Sequence, residues 1–343
     1  MIAKLGMPKW GLSMTEGRVL DWLVEEGAEV SPGDELCEVE TEKITGAVEA
    51  AASGVLRRRI GNVGDVIPVG GLLGVIADAA ESDADIDAFV AEFEATFVPG
   101  EDEDEGAQPE VVGGIRYLKQ GDAGEPVVLI HGFGGDLNNW LFALPALAEE
   151  HTVYALDLPG HGGSSKDVGD GTGLADAVIG FLDAVELERP HLIGHSLGAL
   201  VAAQVASQGR GASLTLVAPA GFGQPVNEDY LDGFISAESR RELKPVLQLL
   251  FADEALVTRS LVDDVLKYKR IDGVTEALTT LRGAAFVDAP EVDVPVLTIW
   301  GAEDRIIPPG SDAEIVEGAG HSPHMEAAGE VNRLIDRFLT AAV

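Results

Sequence analysis

The chain of 343 residues has a single cysteine, Cys37, few basic residues and no long apolar run. One cysteine excludes an internal disulfide and any multi-cysteine metal site, and it suits a reducing, cytoplasmic setting. Lysine and arginine number 23 against 59 aspartates and glutamates, for a formal net charge of −36. A surface that negative repels phosphate backbones and anionic headgroups, so nucleic-acid and peripheral membrane binding are set aside. No stretch of about 20 apolar residues exists to span a bilayer. Pro8, Lys9 and Gly11 also interrupt any apolar leader at the start. What is present is ordinary for a globular protein: 46% hydrophobic and 24% charged residues. At roughly 100–200 residues per domain, two domains are expected, or one large domain plus a module.

The charge is unevenly spread. Residues 1–77 carry 12 acids and 7 bases, and residues 111–343 carry 34 and 16, whereas residues 78–110 carry 13 acids and no base. The middle segment therefore reads as an acidic linker, and its run Glu101-Asp102-Glu103-Asp104-Glu105 repels itself. Within it, Ile86, Phe89, Val90, Phe93 and Phe97 fall at helical spacing. The expectation is a helix packed on one of the domains; the alternative is a docking helix for a partner.

Residues 1–77 read as all-β, with short apolar runs cut by turn signals such as Ser31-Pro32-Gly33-Asp34 and Val63-Gly64-Asp65. A faint repeat pairs the segment 27–36 with 61–70, which suggests two small sheets related by approximate symmetry. Residues 111–343 alternate instead. Strands are expected at Val127–Ile130, Thr152–Leu156, His191–Ile193, Leu214–Val217, Val296–Trp300 and Ala313–Val316, with helical runs at Leu137–Glu149, Leu174–Leu187 and Ala199–Ser207. Short apolar strands with helical crossovers imply a doubly wound, mostly parallel sheet covered on both faces. Residues 219–290 show helical periods without a strand, the size of an inserted helical cap.

The segment Glu38-Val39-Glu40-Thr41-Glu42-Lys43-Ile44-Thr45 places a lysine between two strand-like runs, as at a hairpin tip. It resembles the modification loop of biotinyl and lipoyl carrier domains. Glu-Thr-Glu-Lys-Ile is the lipoyl version, since biotin carriers flank the lysine with methionine and none adjoins Lys43. The resemblance extends through residues 1–77, including Met7-Pro8-Lys9-Trp10-Gly11 and Thr15-Glu16-Gly17. It implies a flattened β-barrel with lipoate amide-linked to Lys43 by a lipoate ligase.

Gly194-His195-Ser196-Leu197-Gly198 follows a strand and opens a helix, the setting a nucleophile elbow requires. His131-Gly132-Phe133-Gly134-Gly135 follows an early strand and can donate to an oxyanion; by position the donors are the N–H groups of Phe133 and Leu197. Past the strand at Val296–Trp300 come Glu303 and Asp304, of which Asp304 is better placed to orient a histidine. His321, in Glu317-Gly318-Ala319-Gly320-His321, can reach the serine; His324 is the neighbouring candidate, expected to cap or pack the next helix. No metal site is expected. The chain order Ser196, Asp304, His321 is that of α/β-hydrolases. With Asp157-Leu158-Pro159-Gly160-His161-Gly162, residues 111–343 resemble that family throughout, and His161 is expected to be structural.

The expected fold class is thus multi-domain: a lipoyl-type flattened barrel (1–77), an acidic linker (78–110) and an α/β-hydrolase fold (111–343) with its cap at 219–290. The combination resembles the dihydrolipoyllysine acyltransferase family of acetoin dehydrogenase complexes. The resemblance implies acetyl transfer from lipoyl-Lys43 to coenzyme A. It implies two partners, a thiamine-diphosphate-dependent acetoin-cleaving component and a flavin-dependent dihydrolipoyl dehydrogenase. A serine hydrolase carrying a lipoyl domain is the alternative. No glycine-rich nucleotide fingerprint marks a coenzyme A site. Arg240, Arg241 and Lys244 are the basic candidates in the cap, and Arg57-Arg58-Arg59 could meet an acidic partner or the chain's own acidic linker.

Overall fold

The computed structural model describes residues 2–8, 10, 14–41, 45–99 and 108–342. The chain divides into two compact units, Met1–Gly106 and Ala107–Val343.

Among the described residues the first unit has eight short strands: β1 (Ile2–Gly6), β2 (Glu16–Trp22), β3 (Glu29–Val30), β4 (Glu35–Glu40), β5 (Thr45–Glu49), β6 (Gly54–Arg59), β7 (Val66–Pro68) and β8 (Leu72–Ala77). They form two antiparallel sheets, ordered β1-β8-β6-β3 and β5-β4-β2-β7. Advancing each strand by four places converts one order into the other, so the sheets are related by a pseudo-twofold. Val19, Leu36, Val39, Leu56, Leu73 and Val75 are fully buried and fill the space between them. The thiol of Cys37, pushed up to about 12 by burial, is an inert part of this core.

The symmetry corrects the register of the repeat. The pairing 27–36 with 61–70 is three residues out, because the turns superimpose at a spacing of 37. Gly27 and Gly64 both hold left-handed φ, 91° and 93°, as do Gly33 and Gly70 at 85° and 78°. Their N–H groups follow suit: Gly27 donates to Leu56 O and Gly64 to Val19 O.

The amphipathic pattern forms α1 (Asp83–Thr96), capped by Ser82, whose side chain accepts from Asp85 N–H. The helix lies on the barrel itself: Ile86 is fully buried against Leu72, Val75 and Ala77, with Phe89, Val90 and Phe93 beside it. Arg57 bonds Asp83 at 2.8 Å and Arg58 bonds Asp87 at 2.9 Å, so two of the three arginines meet acids of the segment that follows them. Arg59 pairs with Glu25 instead. The acidic run 101–105 lies outside the described residues.

The second unit has an eight-stranded sheet. Its strands are β9 (Glu110–Val112), β10 (Ile115–Gln120), β11 (Pro126–Ile130), β12 (Thr152–Leu156), β13 (His191–His195), β14 (Ser213–Val217), β15 (Val296–Gly301) and β16 (Glu314–Val316). The order is β16-β15-β14-β13-β11-β12-β10-β9. From β16 to β12 all neighbours are parallel, whereas β10 and β9 are antiparallel. The expected strands are present, and β9 and β10 are added at one edge. Crossovers α2 (Ala143–Ala148), α3 (Leu174–Ala184) and α4 (Leu197–Ser207) cover the sheet. The run expected at Leu137–Glu149 is broken: Asp136 caps a 3-10 turn at Leu137–Trp140 before α2 begins. Between β14 and β15 stand α5 (Glu228–Ser236), α6 (Arg240–Leu247), α7 (Arg259–Lys269) and α8 (Val274–Ala284), with no strand between them. The chain closes with α9 (Pro323–Glu326) and α10 (Ala328–Ala342).

Candidate active site

Parallel strands place their carboxyl ends along one edge, and the candidate residues gather on the loops there. Ser196 stands between β13 and α4 with φ 53° and ψ −117°, a strained conformation for a side-chain-bearing residue. Two tertiary bonds hold it: its N–H donates to Val217 O at 2.9 Å and its carbonyl accepts Ala220 N–H at 3.2 Å. The flanking glycines serve a different purpose from turn freedom. A Cβ at Gly194 would lie 2.4 Å from Gly198 O, and one at Gly198 would lie 2.2 Å from Ile130 O. Glycine is needed for close approach, and the strain falls on Ser196 itself.

Asp304 follows β15 and His321 precedes α9. His321 Nδ1 and Asp304 Oδ2 are 2.7 Å apart, with both side chains buried. Asp304 also accepts the N–H groups of Ile306 (2.7 Å) and Ile307 (2.9 Å) and the Trp300 indole N–H (2.9 Å). Burial opposes its charge, but His321 and the two backbone donors outweigh it and hold the carboxyl below the usual range. Glu303 is exposed and Asp304 takes the pairing role. With Nδ1 facing a carboxylate, His321 keeps Nε2 free to act as base. The elbow and the His321 loop are joined directly, since His195 Nε2 lies 2.8 Å from His321 O and donates to it.

His324 does not pair with Asp304. It is buried under Trp140 and His195, ring centroids 4.7 and 4.6 Å away, and burial followed by the nearby His321 depresses its imidazole to about 3. Among the described residues no group of three or more His, Cys, Asp or Glu could hold a metal ion.

The loop after β11 comes up against the elbow: a Cβ at Gly132 would be 3.0 Å from Ser196 Cβ. Gly135 N–H closes a turn on Gly132 O at 3.1 Å, which leaves the N–H of Phe133 unused by that turn. Leu197 is the first residue of α4, where a backbone N–H has no intrahelical acceptor. Both candidate donors therefore flank Ser196. Phe133 is buried against Phe234 and Phe286, from the helical segment between β14 and β15, at ring distances of 6.1 and 5.8 Å. Sequence reasoning missed the Trp300 bond to Asp304, the His195 brace and a bond from Gly134 N–H to His161 Nε2. A histidine directly before Ser196 was the only local signal, and it pointed to the His195 brace alone.

Two other candidates stand apart. Lys43 lies outside the described residues, between β4 and β5, whose ends pair Glu40 with Thr45. Arg240 is engaged by Asp263 in a two-pronged pair, while Arg241 and Lys244 are exposed on α6.

The fold and site together define a serine-centred α/β-hydrolase unit joined to a biotinyl/lipoyl-type carrier barrel. Comparison with known proteins agrees. Residues 127–334 match the alpha/beta hydrolase family, and residues 3–76 match the biotin/lipoyl family described as biotin-requiring enzyme. The chain is 48% identical to a dihydrolipoyllysine-residue acetyltransferase component of acetoin cleaving system from Cupriavidus necator, over 98% of this chain and 97% of the relative. It is 47% identical to the Pseudomonas putida counterpart, over 98% of each. Among solved structures, a meta-cleavage product hydrolase of Pseudomonas fluorescens IP01 matches 70% of this chain and 99% of its own, at 25% identity and a TM-score of 0.60. The chain belongs to the family of dihydrolipoyllysine-residue acetyltransferase components of acetoin cleaving systems, which are acyltransferases. Among the described residues no helix is long and apolar enough to cross a membrane.

Proposed function

We propose that this protein moves an acetyl group from a lipoyl-lysine thioester to coenzyme A within a multienzyme acetoin cleaving system. Residues 1–77 act as carrier, the segment 78–110 joins the units, and residues 111–343 act as catalyst under the 219–290 cap. The observation that carries this reading is the match to acetyltransferase components across both units at 48% identity. The residues present fit lipoate: Lys43 falls between paired strand ends and has no adjoining methionine. Amide-linked lipoate supplies the thiol on which the acetyl group travels as a thioester.

The chain's own residues then act as follows. Ser196 Oγ attacks the acetyl carbonyl carbon as His321 Nε2 takes its proton. The N–H groups of Phe133 and Leu197 receive the developing oxyanion. The carbon–sulfur bond breaks, and His321 returns the proton to the departing thiol. The coenzyme A thiol attacks acetyl-Ser196, and its proton passes through His321 back to Ser196 Oγ. Asp304 stays charged throughout and stabilises the imidazolium. The aromatic cover of Phe133, Phe234 and Phe286 keeps water from the acetyl-serine, which favours transfer over hydrolysis. A thiamine-diphosphate-dependent acetoin-cleaving partner loads the carrier, a flavin-dependent dihydrolipoyl dehydrogenase reoxidises it, and a lipoate ligase modifies Lys43.

The test is intact mass of protein co-expressed with lipoate and a lipoate ligase, then incubated with acetyl-coenzyme A and reductant. Lipoylation at Lys43 followed by acetyl gain on the reduced arm, lost in Ser196→Ala, supports transfer through the serine. Acetate and free coenzyme A without acetyl gain would assign the site to a hydrolase. Full transfer by Ser196→Ala would remove the covalent route.

A further inference from the structure

The loop bearing Phe133 is not held by its own backbone alone. His161 is fully buried, and its Nε2 accepts Gly134 N–H at 3.1 Å. Its Nδ1 lies 3.0 Å from Pro159 O. A carbonyl only accepts, so Nδ1 carries the proton and Nε2 the lone pair; the partners assign the tautomer. His131 repeats the arrangement, with Nδ1 2.7 Å from Gly132 O and Nε2 accepting Leu158 N–H at 2.9 Å. The two rings meet edge to face at 4.9 Å. The backbone is thus pinned on both sides of Phe133, at the Gly132 carbonyl and at the Gly134 N–H, by imidazoles whose other nitrogens bond Leu158 N–H and Pro159 O. Burial first, and then the neighbouring His131, keeps His161 neutral far below its usual range, so the lone pair persists.

Segment 157–166 is itself anchored. Asp157 accepts from Arg116 at 2.9 Å, Leu137 N–H at 2.8 Å and Gly163 N–H at 2.7 Å. Lys166 Nζ reaches the carbonyls of His161, Gly162 and Ser164. From the cap, the Tyr268 hydroxyl donates to Gly160 O at 3.3 Å. This is more fixation than a surface turn needs, and it converges on the residues either side of the first oxyanion donor.

We propose that His161 is a positioning residue for acyl transfer at Ser196: by holding Gly134 N–H it sets the aim of the Phe133 N–H at the oxyanion. The proposal rests on the reading of Ser196 as a covalent acyl-transfer centre. Outright loss of an oxyanion donor costs about 10²–10³-fold in kcat, so a loosened donor is expected to cost about 10–100-fold.

The experiment uses the full lipoylated chain with three substitutions. His161→Phe keeps a ring against His131 but has no acceptor. His161→Asn retains the Pro159 contact but is too short to reach Gly134, and it serves where the phenylalanine variant folds poorly. His161→Gln places an amide oxygen near the position of Nε2. The readouts are kcat and KM for acetyl transfer, and the affinity of a small trifluoromethyl ketone that adds to the serine as a tetrahedral oxyanion. His161→Phe and His161→Asn are expected to lose kcat and ketone affinity by the same factor, with KM unchanged and His161→Gln restoring most of both. Equal ketone affinity in the parent and His161→Phe overturns the role of His161 alone. An equal loss in all three substitutions also overturns it. A parent that forms no ketone adduct at Ser196 overturns the covalent reading, and this proposal falls with it.

Discussion

In the barrel, Lys43, the proposed attachment residue, stands in sequence between strand ends that pair Glu40 with Thr45. In the α/β unit, the paired histidine and aspartate come from loops 17 residues apart, and His195 reaches the His321 loop across 126 residues. The first arrangement is local and asks little of the core. The second is long-range, buried and held by bonds that the fold must already have made. All seven histidines also lie in the α/β unit, none in residues 1–106. A carrier works by reach, so its signature is a short motif. A catalytic centre works by fixed geometry, so its signature is scattered, and its mutations disturb more than one residue.

The sharpest way to break this contrast is to damage each unit separately. Lys43→Arg and Ser196→Ala are both expected to abolish acetyl transfer, by at least about 10³-fold. Fluorophosphonate labelling should tell them apart: complete in Lys43→Arg, absent in Ser196→Ala. Labelling lost in both would mean that the units are not chemically independent. Asp304→Asn comes next, with a fall in kcat of about 10²–10⁴-fold, because the amide can fix the wrong histidine tautomer. Steady-state transfer assays at saturating coenzyme A would measure it.

Acid should separate the units thermodynamically. The His324 pKa is depressed to about 3, so between pH 6.5 and 3 its unfolded form binds a proton that the folded form refuses. Stability therefore falls as pH drops through that window, and replacing His324 with phenylalanine should flatten the fall by a few kcal/mol, on the order expected for a shift of this size. Asp304, held below its usual range, contributes stability that is lost only at lower pH, as the folded carboxyl protonates. Urea melts of parent and His324→Phe at pH 4.5 and 7.5 would decide it; parallel slopes with pH would refute the assignment. The barrel, lacking histidine, should show no such limb. Its own weak point is α1. Ile86→Ala should cost roughly 2–5 kcal/mol through the cavity it leaves, and Arg58→Ala only a small fraction of that, because exposed pairs are screened. Thermal melts of the two variants would rank packing against charge.

Much of this was legible in the sequence because each legible feature is local. The elbow needs five consecutive residues, and the six parallel strands are short apolar runs between helices. The spacing of Ile86, Phe89, Val90 and Phe93 marked α1, and these residues do pack together. The antiparallel edge was not legible. β9 is three largely exposed residues, and the burial along β10 does not alternate cleanly. The repeat was misaligned because Gly61 and Gly64 look alike in a glycine-rich turn, and the fold tells them apart: Gly64 is exposed with positive φ, whereas Gly61 is buried. The bonds from His161 and Trp300 were hidden for another reason: their partners are backbone groups or residues brought near by turns, and a sequence pattern does not report those.

The pseudo-twofold of the barrel has a mechanical consequence. Carried through the symmetry, the connection between β4 and β5 corresponds to the gap between β8 and β1, where Ile2 pairs with Ala77. One sheet thus carries the connection that contains Lys43 where the other carries the strand ends at Ile2 and Ala77. In the proposed reading, lipoate on Lys43 and the joining segment 78–110 are fastened to different sheets of the same small block. In that reading, a pull along the chain beyond Ala77 reaches β8 and the α1 packed on it before the sheet that holds β4 and β5.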